Sequence, residues 1–172
     1  MTPMNERGFT LTELLVSMAM LGMILGGVYT LQQQGLYSYQ MGAAKVEAQQ
    51  NARGAMDLMI RELRSATSVT AIAASDVSFG DQSTPTKTVR YNLSGANLQR
   101  TVDGVADVLI GGTTNLAFTY LASDGSVTAA PGSVATIVIT ITTKPQSTTS
   151  SSTNALQQQM VVQDQVRLRN MP

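Results

Sequence analysis

The residue whose chemistry stands out is an acid, Glu13, at the front edge of a long uncharged segment. Residues 14–31 read LLVSMAMLGMILGGVYTL and contain no charge, and no further charged residue follows until Lys45. A carboxylate beside an apolar span is costly in a membrane unless a positive group or a hydrogen-bond donor pairs with it. Glu13 is therefore expected either to find such a partner or to extend toward the lipid headgroups.

The composition excludes several kinds of active site. The chain has 172 residues, with 11 acidic and 11 basic side chains, no His and no Cys. A thiol nucleophile, a histidine general base and a Cys/His zinc site are therefore excluded. The zero net charge argues against nucleic acid as a direct partner, because phosphate binding requires a basic surplus. We expect a non-enzymatic protein with no catalytic, cofactor-binding or metal-binding residues.

Aspartates in turn-like segments are the remaining candidates for a metal site. Calcium takes oxygen ligands from loops, but the sequence contains no DxDxDG spacing. Turn formation is the better interpretation of these residues. They are Asp76, Asp81, Asp103, Asp107 and Asp124.

The uncharged segment predicts a helix embedded in a membrane. Eighteen residues at about 1.5 Å each give roughly 27 Å, near the thickness of the hydrocarbon core. A cleaved secretory signal would have a basic start and a shorter apolar run, so Glu13 does not fit it, although Gly42-Ala43-Ala44 imitates a cleavage site. An ordinary signal anchor explains the apolar run but not the residues in front of it.

The residues ahead of the apolar run resemble a known processing signal. Residues 7–15 read RGFTLTELL, which is similar to the signal of type IV prepilins and type II secretion pseudopilins. That signal has a leader ending in Gly, then Phe, then Glu at the fifth mature position before an apolar helix. Thr12 and Glu6 depart from it, because the family usually has an apolar residue and a basic leader there. Arg7 still marks the cytoplasmic side.

The resemblance implies cleavage between Gly8 and Phe9 by the prepilin peptidase, which also methylates the new N-terminus of Phe9. It implies that Glu13 is the assembly carboxylate, which meets the N-terminal amine of a neighbouring subunit. The lack of a side chain at Gly8 lets a protease approach the backbone closely. The implied regions are a leader (1–8), a membrane and filament-core helix (9–44) and a periplasmic or extracellular globular domain (45–172).

Residues 45–66 continue the helix with a different pattern. Apolar residues recur at three- and four-residue steps, which predicts one stripe packed on a sheet. The opposite side carries Arg53, Asp57, Arg61 and Arg64. Because Asp57 and Glu62 interleave with the arginines, the pattern favours a solvated, ion-paired face over a basic patch for DNA. The predicted apolar stripe comprises Ala52, Met56, Met59, Ile60, Leu63 and Ala66.

The rest of the chain is rich in β-branched residues and turn formers. The pattern predicts strands at 88–93, 97–102, 115–121 and 135–143, a polar loop at 144–154 and a last strand within 157–170. Asp164 shares a face with Val162 and Val166 in that last strand, which is inconsistent with an apolar face. The predicted fold class is α+β: a long N-terminal helix packed on a C-terminal antiparallel sheet, which is also the pilin fold.

Looser similarities indicate a branch of the family. Residues 51–66, 91–104, 115–125 and 166–170 resemble PilW-like minor pilins and the J-type pseudopilin of type II secretion. Family members with a Cys pair near the C-terminus use it to staple a loop, and this chain has no Cys.

The resulting expectation is a minor type IV pilin that initiates or primes a pilus serving cell adhesion or twitching motility. Its partners would be the prepilin peptidase, other pilins or pseudopilins, and the bacterial inner membrane. It would cross that membrane once, with its N-terminus cytoplasmic, before it joins a filament. The rival interpretation is a J-type pseudopilin, and the alternative of another class is a membrane-anchored periplasmic binding module.

Overall fold

A computed structural model describes residues 8–82, 87–144 and 159–169. The described residues form one long helix, α1 (Leu11–Arg64), eight strands in two antiparallel sheets, and a short 3-10 turn (Pro131–Ser133). This confirms the predicted α+β class, with a pilin-like long N-terminal helix and antiparallel sheets. The chain divides into two compact units, Met1–Gln40 and Met41–Pro172.

In the first unit, the helix begins at Leu11 and buries almost nothing against its own chain. Every side chain from Gly8 to Gln32 is exposed, although most of the segment after Glu13 is apolar. This helix is long and apolar enough to cross a membrane. An apolar surface of this size needs lipid or other protein to cover it.

In the second unit, the first sheet is a meander of strands that follow one another in the sequence. Its spatial order is the order in the chain, and every neighbouring pair is antiparallel. Asp103 (φ 51°) and Gly104 (φ 87°) join its last two strands in a turn with two positive φ angles, as tight hairpins require. The strands are β1 (Ala66–Ala73), β2 (Asp76–Asp81), β3 (Thr88–Ser94), β4 (Asn97–Val102) and β5 (Val105–Gly111).

The second sheet has three strands, with β7 between β6 and β8. Its bounds are β6 (Thr113–Leu121), β7 (Thr136–Thr143) and β8 (Met160–Arg167). The central strand supplies a fully buried face of three isoleucines, as its alternation predicts. Helical Met56, Met59 and Leu63 join the same core cluster as both sheets. The isoleucines are Ile137, Ile139 and Ile141.

A tyrosine on β6 ties the two sheets together. The hydroxyl of Tyr120 lies 2.9 Å from the carbonyl oxygen of Ala73 and 2.8 Å from that of Asp76, and it donates to this pair. The N–H of Phe118 donates to the carbonyl oxygen of Ala74 at 2.8 Å. The turn between β1 and β2 is therefore held by the second sheet, because its carbonyl oxygens find their donors there.

Five of the eight strands in the described residues were predicted from the sequence, and three were not. The predicted strands at 88–93, 97–102, 115–121 and 135–143 are present, and β8 lies within the predicted 157–170. By contrast, β1, β2 and β5 were not predicted, and the strands form two sheets instead of one. The helix ends at Arg64, so Ala66 opens β1 instead of closing the helical stripe. Apart from Lys144, the predicted loop at 144–154 lies outside the described residues.

The structure also resolves the position of Asp164. Its partner in the ladder is the buried Ile139, so it does belong to the core-facing register. However, β8 is an edge strand, and Asp164 lines an open groove of about 420 Å³ opposite Arg53 and Asp57 of the helix. Solvent reaches the carboxylate there, so the charge does not need a buried partner.

Candidate processing and assembly site

The first turn of α1 is organised by two side chains, Thr10 and Glu13. The hydroxyl of Thr10 accepts a hydrogen bond from the backbone N–H of Glu13 at 3.3 Å. In return, Glu13 Oε2 accepts the backbone N–H of Thr10 at 3.0 Å and the Thr10 hydroxyl at 2.8 Å. This reciprocal arrangement is a capping box, which satisfies two backbone donors that a helix start leaves without partners.

The two oxygens of the Glu13 carboxylate are not equivalent. Both contacts from Thr10 reach Oε2, and no described residue donates a hydrogen bond to Oε1. The carboxylate is thus held against the N-terminal end of its own helix, with one oxygen free to accept another donor. The side chain is exposed, so an external group can reach it.

The peptide bond between Gly8 and Phe9 lies just before this turn. Both residues are outside regular secondary structure and exposed, and Phe9 is 88% accessible. Apart from Gly8 and its chain neighbours, no heavy atom of the described residues comes within 4 Å of the place where a side chain at Gly8 would begin. The structure therefore brings an accessible backbone segment, an exposed aromatic side chain and a fixed carboxylate within six residues of one another.

Sequence reasoning predicted Gly8, Phe9 and Glu13 but missed Thr10. The available signal was Thr10-Leu11-Thr12-Glu13, a T-x-x-E pattern directly before an apolar run, which is the pattern of a capping box.

A comparison with known protein families characterises the N-terminal segment. The model of the prokaryotic N-terminal methylation motif, a prepilin-type signal, matches residues 3–29. The chain is type IV pilin-like. No curated protein matches the sequence significantly, so minor pilins and pseudopilins are not separated by relatives. The motif implies processing by a prepilin peptidase and assembly with other pilins, and the apolar helix fits membrane anchoring before assembly.

The globular unit of this pilin-like protein contains a second polar cluster. Arg100 on β4 contacts both oxygens of the Glu62 carboxylate: Nη2 lies 2.7 Å from Oε1 and Nε lies 3.0 Å from Oε2. The hydroxyl of the fully buried Tyr91 donates to Glu62 Oε2 at 2.5 Å. Glu62 was predicted to lie on a solvated helix face, but it is only 18% exposed and turns toward the first sheet.

The cluster shifts the ionisation of its members. Burial, reinforced by the hydrogen bond to Glu62 and its negative charge, raises the pKa of the Tyr91 hydroxyl far above its ordinary value. The hydrogen bond from Arg100 to Glu62 is the main cause that raises the pKa of this guanidinium. The cluster is therefore a structural ion pair that connects the helix to the sheet, with a tyrosine that stays protonated.

The five aspartates considered as metal ligands are dispersed. Asp76 forms an ion pair with Arg90, Asp103 caps the N–H of Thr88, and Asp124 accepts hydrogen bonds from Ser126. Asp81 ends β2, and Asp107 lies in β5 instead of in the turn that was predicted. Within residues 8–82, 87–144 and 159–169, no three His, Cys, Asp or Glu residues come together as metal ligands.

Proposed function

We propose that this chain is a minor type IV pilin, a structural subunit that is cleaved between Gly8 and Phe9 and then built into a filament. The observation that carries the proposal is the geometry of Glu13, whose carboxylate is fixed at the first helical turn with one oxygen free. Its position five residues after Gly8 suits a contact with a newly formed amine. The match to the methylation motif supports the same conclusion.

The processing step creates the partner that Glu13 needs. Hydrolysis of the Gly8–Phe9 peptide bond leaves a carboxylate on Gly8 and an amine on Phe9, which is protonated at neutral pH. Methylation of this nitrogen leaves it basic, so the positive charge remains. A neighbouring subunit's Phe9 ammonium then donates to Glu13 Oε1, while Thr10 keeps Oε2.

The energetics favour this contact at the edge of a membrane or in a filament core. A carboxylate placed in an apolar environment is costly, and pairing with a cation offsets much of that cost. The exposed apolar helix that follows provides the packing surface for other subunits. Glu13 therefore selects the position at which a new subunit joins, because only a neighbouring amine at that position offsets the cost of removing the carboxylate from water.

Cleavage and methylation can be tested by mass. Protein recovered from membranes that contain the prepilin peptidase is expected to begin at methylated Phe9, whereas without the peptidase it keeps residues 1–8. The variant Gly8→Val should stay uncut. An intact chain in both membranes would contradict the proposal and would support an anchored periplasmic module instead.

The role of Glu13 is tested by a neutral isostere. Glu13→Gln should be cleaved and membrane-inserted like the wild type but should be lost from sheared filaments. Glu47→Gln is the matched control, because Glu47 is an exposed acid of the same helix and should assemble normally. Normal incorporation of Glu13→Gln would remove the assembly role from this residue.

The nearest second candidate is the J-type pseudopilin, for which the same processing and anchoring apply. Deletion of the gene separates the two functions: loss of pili with intact protein secretion indicates the minor pilin, and the converse indicates the pseudopilin. We infer initiation or priming of assembly for this subunit, so its deletion should reduce the number of filaments more than their length.

A further inference from the structure

A positively charged groove lies where the helix meets the end of the second sheet. It has a volume of about 470 Å³ and is lined by Ile60, Arg61, Arg64 and Ser65 of the helix region and by Arg169 after β8. Asp57 is the one acid in its lining. The three arginines are exposed, and none of them forms a salt bridge with a described residue.

The charge of this groove is larger than the sequence pattern indicates. Glu62 follows Arg61 in the chain, but its carboxylate is turned away and is occupied by Arg100 and Tyr91. One of the two acids that were expected to neutralise the arginines is therefore removed from their face. Partly buried Ile60 packs against the core and provides an apolar floor between the charged side chains.

The hairpin between β4 and β5 carries acidic side chains that are complementary in charge to this groove. Its tip carries the acids Asp103 and Asp107, both exposed. Val105 is 73% accessible and shares a face of β5 with Asp107, whereas Val108 is 49% accessible on the opposite face. The large exposed fraction of Val105 leaves this acidic face of the hairpin open to a partner.

We infer that the groove formed by Ile60, Arg61, Arg64 and Arg169 binds the β4–β5 hairpin of a second copy of this chain. Val105 would cover the apolar floor, and Asp107, which lies on the same face of β5, would meet the arginine rim. Because the groove and the hairpin are different surfaces, such a contact is head-to-tail. It leaves one groove and one hairpin free at the ends, as an open assembly requires.

This inference rests on the proposed filament function and gives the contact between adjacent copies. It implies that the subunit enters the filament in short runs of neighbours instead of singly. The helix packing proposed above would join subunits at their apolar segments, and the hairpin contact would join their globular units.

Charge exchange tests the contact with the full chain in detergent micelles. Asp107→Arg and Arg64→Asp should each weaken self-association by about 10-fold or more in analytical ultracentrifugation, because like charges then face each other. An equimolar mixture of the two variants should recover association, since Arg at 107 can meet Asp at 64. Asp124→Arg and Arg53→Asp are matched controls, being exposed charges outside both surfaces.

Cysteine pairing gives a geometric test, because the natural chain has no cysteine. A mixture of Val105→Cys and Ser65→Cys should form a disulfide-linked dimer under mild oxidation. Val127→Cys, at a residue that is 75% exposed and away from the hairpin, should not cross-link to Ser65→Cys.

Three outcomes overturn the inference. The first is wild-type self-association in both single charge variants, and the second is a mixture that fails to recover. The third is a loss of association in Arg64→Asp alone, because the groove would then meet a different surface of the second copy. Cleavage at Gly8 is measured separately, so a failed hairpin contact and a failed processing step give different results.

Discussion

Arg100 and Glu62 form a two-point ion pair that connects β4 to the last turn of the helix, with contacts of 2.7 and 3.0 Å. The pair is only partly accessible: the Arg100 and Glu62 side chains are 27% and 18% exposed. Tyr91 adds a third contact from within the core. This cluster is the main polar connection between the helix and the first sheet, in a region that is otherwise held by apolar packing.

We predict that Arg100→Met destabilises the globular unit by about 1–3 kcal/mol, because the Glu62 carboxylate would keep its partly buried position without its cation. Chemical unfolding of the full chain in detergent measures the change. Arg90→Met is the matched control, since the Arg90 side chain is 52% exposed in its ion pair with Asp76. It should cost less, because solvent screens an exposed ion pair. Equal losses in the free energy of unfolding for both variants would contradict the stronger role of the less exposed ion pair.

Alkaline pH is predicted to destabilise the fold through its buried tyrosines. Burial is the main cause that raises the pKa values of Tyr91 and Tyr120 in the folded state. Their contribution to stability is complete below the unfolded pKa of about 10 and falls as the pH rises above it, because only the unfolded chain releases these protons there. Each tyrosine contributes a slope of up to about 1.4 kcal/mol per pH unit.

The pH effect is checked by measuring the free energy of unfolding from neutral pH to above pH 10. Tyr91→Phe should reduce the alkaline slope, and Tyr91→Phe combined with Tyr120→Phe should reduce it further. A slope that is unchanged in the double variant would show that other groups, such as lysines, cause the loss.

Gly104→Ala is predicted to cost about 1 kcal/mol, because Gly104 has a φ of +87° that residues with a Cβ atom rarely adopt. Among the described residues, no heavy atom beyond the chain neighbours of Gly104 lies within 4 Å of the added Cβ, so the cost comes from the backbone conformation. Gly132→Ala is the control: it meets equally open space without a positive φ. Thermal unfolding should separate the two, and a stable Gly104→Ala protein would argue against the hairpin geometry.

Loss of the Thr10 hydroxyl is predicted to loosen the first turn of the helix. Thr10→Ala removes the acceptor for the Glu13 N–H, at a cost of about 0.5–2 kcal/mol for a lost cap. Amide hydrogen exchange at Glu13 should accelerate, whereas Thr10→Ser keeps a hydroxyl and should exchange like the wild type. Unchanged exchange in Thr10→Ala would mean that the cap is not formed in the micelle.

The structure could be predicted from the sequence wherever the residue pattern was local and strong. Three segments show such a pattern in the sequence itself. They are the uncharged run after Glu13, the helical stripe of Met56, Met59 and Leu63, and the alternating isoleucines of β7. The stripe and the isoleucines each bury one face, and the uncharged run buries none, so these structures can be predicted without knowledge of distant residues.

Prediction failed where the chain relies on distant contacts. The register of β1 shifts twice against β2, so its burial does not alternate and its sequence gives no strand signal. The valines of β5 are exposed, which removes its periodicity. Glu62 was placed with its neighbours on the solvated face, because Arg100, its partner 38 residues away, cannot be recognised from the sequence. These features depend on tertiary pairing, which local propensity does not encode.

The meander of the first sheet has a consequence for the order in which the globular unit folds during synthesis. Each of its strands pairs with its neighbour in the sequence, so the whole sheet can form once residue 111 has emerged. The second sheet is completed only when β8, which ends at Arg167, arrives. Short-range pairing forms faster than long-range pairing. The N-terminal half of the globular unit can thus fold while the C-terminal strand is still being synthesised, and Tyr120 then connects the early half to the late half.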